Sequence, residues 1–163
     1  MCAFNYSSAG GKGSAPKFIG GRARGCGKIA TQGDAQLEEG VSCYSGTLAD
    51  ATWRSLMVDT GGRISIGSKC SATFKALVTL ATSASAQYAG FSIVGMITRD
   101  GANNTVLRAS TVTVVARSRA TFECQVVADD TNEALAIQIR DSAGTGDAVY
   151  AVAAVWMATV IKA

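Results

Sequence analysis

Asp129, Asp130 and Glu133 bring three carboxylates within five residues, a density that invites thought of a bound cation or an acid–base pair. The segment reads instead as a hairpin turn, where Asp and Asn are ordinary because their side chains bond to nearby backbone. A calcium site is the weaker reading. The other acids are scattered, so no pair of glycosidase carboxylates can be nominated. The chain has no histidine, which removes Ser-His and Cys-His nucleophiles and the usual zinc patterns. Its five cysteines, Cys2, Cys26, Cys43, Cys70 and Cys124, are widely spaced with no CxxC pair. Free thiols in a reducing compartment are the simplest account, and nothing argues for a Cys26–Cys43 disulfide. Cys124, in an alternating run, reads as a small core residue. No catalytic residue, metal or cofactor is expected, and the chain does not read as an enzyme.

Gly21 to Ile29 superficially resembles a phosphate loop but fails it twice. Arg22 stands where the first glycine is needed, and Ile29 where a Ser or Thr would hold magnesium. The basic residues of this region fit a different use. Residues 1–33 hold eight of the 18 glycines and five cations, Lys12, Lys17, Arg22, Arg24 and Lys28, with no acid. The remainder carries ten basic and twelve acidic residues, so the net charge of +3 hides a cationic arm on a slightly acidic body. Such an arm docks on an acidic surface, unless it is simply a solvated leader. Lys17, Arg22, Arg24 and Lys28 are the candidate anchors, Arg being suited to two-bonded contacts with carboxylates. Nucleic acid is disfavoured, because the arm lacks interleaved aromatics.

These residues need a body to carry them. Residues 1–40 contain the only proline and two Gly-Gly pairs, and they read as an extended arm, with a turn or two of helix expected at Ala30–Glu39. Residues 41–163 read as eight or nine strands with turns every 8 to 16 residues. Phe74, Ala76, Val78 and Leu80 face inward on one strand, Phe122, Cys124 and Val126 on a second, and Leu135, Ile137 and Ile139 on a third. Asn103-Asn104, which tolerates positive φ, and Gly144-Thr145-Gly146 mark turns. The fold class is all-β, an antiparallel, jelly-roll-like β-sandwich with an extended glycine-rich arm.

The last strand, Ala148–Ile161, is apolar on both faces, with Tyr150, Val152, Ala154, Trp156 and Val160 on one and Val149, Ala151, Val155 and Met157 on the other. An antiparallel strand normally has a wet face. Two dry faces call for cover on both sides, from another subunit or from a loop of the same chain. Tyr150, Trp156 and Met157 are therefore expected in the core or at a subunit interface. The 14-residue run is shorter than the ~20 residues of a membrane helix, and no signal peptide is visible at the N-terminus. Charged residues make up 17% of the chain, against ~25% in ordinary domains, which also suggests surface covered by partners.

Residues 72–162 resemble the end domain of phage and prophage fibre or appendage proteins. The likeness lies in Phe74-Lys75-Ala76-Leu77-Val78, in Tyr88-Ala89-Gly90-Phe91 running on to Ile97-Thr98-Arg99-Asp100, and in Val127 to Ile137. It continues in Ser142-Ala143-Gly144 and Val152-Ala153-Ala154-Val155, with Arg22-Ala23-Arg24-Gly25 and Gly33-Asp34-Ala35-Gln36 similar to the lead-in. That resemblance implies a homotrimeric β-sandwich in a virion, assembled in the host cytoplasm and serving particle architecture or contact with a host surface receptor. Fibre domains end a long shaft, whereas this one follows only an arm. A short tail, neck or head fibre attached to other virion proteins through residues 1–40 is therefore expected, with a capsid decoration protein as the alternative. A carbohydrate-binding module would need exposed aromatics, and Tyr44, Trp53, Tyr88 and Trp156 read as mostly buried. A hydrolase on a β-scaffold would need acids that the sequence does not single out.

Overall fold

The computed structural model describes residues 8–10, 21–25, 35–58, 61–84 and 86–162. Eleven strands run through them: β1 (Ser8–Gly10), β2 (Arg22–Gly25), β3 (Ala35–Thr47), β4 (Arg54–Ser55), β5 (Ile64–Ser65), β6 (Cys70–Thr82), β7 (Tyr88–Arg99), β8 (Thr105–Arg117), β9 (Phe122–Asp129), β10 (Ala134–Asp141) and β11 (Ala148–Ile161). No helix occurs among the described residues. The expected helical turns at Ala30–Glu39 give way, from Ala35 onward, to β3. The arm's Arg22–Gly25 is likewise a strand of the sheet, while Lys17 and Lys28 lie outside the described residues.

The strands form the antiparallel sandwich that the alternation predicts. A seven-stranded sheet has the order β1-β2-β3-β11-β6-β7-β8, antiparallel except for the β1–β2 pair. In the smaller sheet β10 pairs along its length with β9, while its other edge takes β4 and β5. β11 is central, paired over 13 positions with β3 and 13 with β6, so its backbone is satisfied on both edges.

Period-two burial fixes the register. Phe74, Ala76, Val78 and Leu80 of β6, Phe91, Ile93 and Ile97 of β7, and Val149, Ala151, Val155 and Met157 of β11 point inward. They meet Phe122, Val126, Leu135, Ile137 and Ile139 of the small sheet, with Leu56, Ile64 and Ile66 filling the gap beside β10. The alanines of the large sheet let the small one approach closely, and the two inner faces make a single core. Asn103 (φ 68°), Gly144 (φ 60°) and Gly146 (φ 77°) take the left-handed backbone that their turns require.

Candidate functional site

The carboxylates of the β9–β10 turn do structural work. Asp129 accepts hydrogen bonds from the Asn132 backbone and side chain and pairs with Arg63 Nε at 3.1 Å, tying the turn to the residue before β5. Burial works to raise its pKa, but the Asn132 and Arg63 donors outweigh it and hold the carboxyl below the usual range. Asp130 accepts from the Thr105 N–H, and Glu133 accepts from the Thr105 hydroxyl and pairs with Arg99 Nε at 3.2 Å. Among the described residues no three His, Cys, Asp or Glu side chains are placed to hold a metal ion.

The outward side of the seven-stranded sheet has a different character. Cross-strand neighbours share a face, so the register reads off its rows directly. Through Trp156 the row is Arg22, Glu39, Trp156, Lys75, Val94 and Thr111, one residue from each of β2, β3, β11, β6, β7 and β8. Two positions along, it is Arg24, Leu37, Ala158, Thr73, Met96 and Ala109. In the other direction Val41, Ala154, Leu77 and Ser92 are followed by Val152 and Thr79, then by Tyr150, Ala81 and Tyr88. Val41 is 57% exposed, Tyr150 59%, Val152 48% and Trp156 36%. Leu37, Leu77, Val94, Met96 and Val160 are exposed with them. A trough of about 560 Å³ opens around Ala158, lined by Leu37, Met96, Val160, Ser71, Thr73 and Arg24.

Apolar, Ser and Thr side chains thus dominate the four central strands, where Glu39 and Lys75 stand as the charged residues. Exposed apolar patches of this kind are where proteins commonly meet partners. Of the residues singled out in the sequence, Arg22, Arg24, Tyr150 and Trp156 come together on this face. Met157 is turned the other way and is 1% exposed in the core. The sequence reading missed Glu39, Leu37 and Leu77. The signal that could have found Leu77 is the exposed side of β6, where Leu77 interrupts Thr73, Lys75 and Thr79.

Two further depressions are smaller. One of about 390 Å³ at the end of the sandwich gathers Lys69, Arg108 and Lys162 around Asp100. Another, of about 340 Å³, runs beside Trp53 with Arg117, Glu123 and Gln125 in its wall. The Trp53 indole lies under the Arg140 guanidinium, 4.3 Å from its ring centre, and Arg140 pairs with Glu123 at 2.6 Å. Tyr88 is 54% exposed and Trp53 and Tyr44 are half-buried, so the aromatics are more open than the sequence suggests.

No family model and no curated protein matches the sequence. Among solved structures the chain is similar to a tailspike protein of Acinetobacter baumannii bacteriophage Fri1, a capsular polysaccharide depolymerase, with a TM-score of 0.41 and 9% sequence identity. The match covers 76% of this chain and 18% of the tailspike, a distant likeness to a much longer protein.

Proposed function

We propose that this chain is a non-enzymatic structural subunit of a phage particle, a homotrimeric fibre or appendage-type protein attached through residues 1–40. The observation that carries this reading is the outer face of the large sheet. A 13-residue central β6 and a 14-residue central β11 leave Leu77, Tyr150, Val152, Trp156 and Val160 in water, which is costly in a single chain and stabilising once a partner covers them. The sequence resemblance to phage fibre end domains supplies the setting. Arg22 and Arg24, exposed on β2 beside that face, are the described residues best placed to reach another particle protein.

The test is solution mass by light scattering on the full chain, followed by particle incorporation. The expected mass is three times the 16.7 kDa of the chain. Val152→Glu, at the centre of the patch, should lower it to one chain. A monomeric wild type at all concentrations would overturn the reading. So would absence of the chain from particles purified on a density gradient, or release of reducing sugar from bacterial polysaccharide by the purified protein.

A second reading has its own observation. The groove beside Trp53 sets an aromatic against Glu123 and Gln125, a combination suited to a sugar ring. Glycan-array binding that Trp53→Ala abolishes would favour a carbohydrate- or receptor-binding module.

A further inference from the structure

Glu39 and Lys75 stand one strand to either side of Trp156, each directly opposite it in the register. Two strand spacings separate their backbones, about 10 Å, with the indole between them. No ion pair joins either residue to its own chain among the described residues. On the β3 side the face also carries Arg22 next to Glu39 and Arg24 next to Leu37. On the β7–β8 side it carries Arg108, whose Nε donates to Thr98 Oγ1. The residues that flank Trp156 directly are thus opposite in charge and at the same height, acidic Glu39 on one side, with Arg22 beyond it, and basic Lys75 on the other.

We infer that this face binds a second copy of the chain about a rotation axis running along β11, so that Glu39 of each copy pairs with Lys75 of the next. The inference rests on the self-associating role proposed above and specifies its geometry. An axis along the strands exchanges left and right, which carries Glu39 over to a neighbour's Lys75. An axis across the strands keeps left and right, and sets Glu39 over Glu39 and Lys75 over Lys75. Opposite charges select the first arrangement and like charges exclude the second. The same exchange occurs in a two-fold pair, where the contact is made twice, and in a three-fold ring, where it is made once per interface. In either, Arg22 comes to lie near the apolar Val94 side and meets no opposed cation on its own row.

The size of the face fits. Four strands of about 13 residues, spaced about 4.8 Å apart and rising about 3.3 Å per residue, present roughly 800 Å². Covered whole, as in a two-fold pair, that is the area one partner contributes to a stable interface of standard size, roughly 800 Å², and in a three-fold ring it is shared between two neighbours. The Ala158 trough offers a seat for a bulky side chain of the opposing copy.

Charge exchange tests the inference. Glu39→Lys makes both flanks basic and Lys75→Glu makes both acidic, so each variant alone should self-associate at least tenfold more weakly in light scattering and sedimentation. The double variant should recover the wild-type mass. Mixing the two single variants should give assemblies larger than either forms alone, a rescue that a defect in folding cannot produce. If the wild type assembles and both single variants assemble equally well, or if mixing restores nothing, the geometry is overturned while the structural role stands. If the wild type is itself monomeric, both fall.

Discussion

Arg119 holds Asp141 with Nη1 3.0 Å from a carboxylate oxygen, and the same nitrogen lies 2.7 Å from Asp147. This contact clamps the turn between β8 and β9 to the turn between β10 and β11, two of the connections that pass between the large sheet and the small one. Asp141 is a buried charge, its side chain 1% exposed. Burial pushes its carboxyl up, but the Thr145 hydroxyl, the Ala143 N–H and Arg119 outweigh that and hold it at about 2. A carboxyl held below its ordinary 3.8 stabilises the fold above that pH, and the contribution is lost as pH falls from 3.8 through 2. Asp141→Asn should therefore cost about 1–2 kcal/mol at pH 7 after allowing for solvent screening of its partners. The difference from wild type should shrink towards pH 2. Urea unfolding of both proteins at pH 7, 4 and 2.5 checks this, and a constant difference across that range would refute it.

Gly95 is required by contact rather than by backbone angle. It pairs with Phe74 across β6–β7, and a Cβ placed there would stand 2.6 Å from Phe74 Cζ and 2.6 Å from the Ala109 carbonyl oxygen. The Phe74 ring is itself buried in the core, and the carbonyl belongs to the β7–β8 ladder, next to its bulge at Met96/Ile97. Gly95→Ala should destabilise by about 1–3 kcal/mol, the cost of overpacking. Gly101, whose Cβ would meet only the Lys69 side chain beyond 3.4 Å, should accept Ala with little change. Thermal melts of the two variants make the comparison.

The inner faces of β6, β7, β9 and β10 were legible because apolar residues recur there every second position. β3 was not, because its pattern is inverted. Gln36, Glu38, Gly40 and Ser42 are its buried positions, while Leu37 and Val41 lie outside. Glu38 Oε1 accepts from Gln36 Nε2 at 2.9 Å and from the Thr159 hydroxyl at 3.1 Å, a network spanning 121 residues of sequence that no local pattern can announce. The two dry faces of β11 were visible as a pattern, and the structure assigns them, one to the core and one to the exterior. Glu39 and Lys75 could not be associated beforehand, since what relates them is their shared register opposite Trp156.

Adjacent residues Trp156 and Met157 separate folding from assembly. Met157 is inside, so Met157→Ala leaves a cavity and should cost about 2–5 kcal/mol in chain stability. Trp156 is on the exposed face, and Trp156→Ala should cost under about 1.5 kcal/mol when unfolding is measured at low protein concentration. The order reverses for association, where loss of a central aromatic should weaken self-assembly most. Unfolding and light scattering on the two variants give the pair of rankings. Equal loss of stability in both would place Trp156 in the fold's own core.

Cys124 reports on whether the small sheet opens. Burial pushes its thiol up to about 12, so at pH 8 the native chain holds almost none of the thiolate that alkylating reagents need. Its strand β9 sits at the edge of the small sheet, paired only with β10 over eight positions. A pulse of iodoacetamide at pH 8, read by mass spectrometry of the Cys124 peptide, should leave it unmodified in native buffer. Modification should appear with the global unfolding transition in urea. The sign of the shift has a second consequence. The unfolded chain ionises this thiol first, so stability due to its neutral burial is complete below pH 9 and declines as pH rises towards 12. Labelling below the unfolding transition would mean that β9 detaches from β10 while the large sheet stays folded, and the clamp between Arg119 and Asp141 would then be the contact to strengthen.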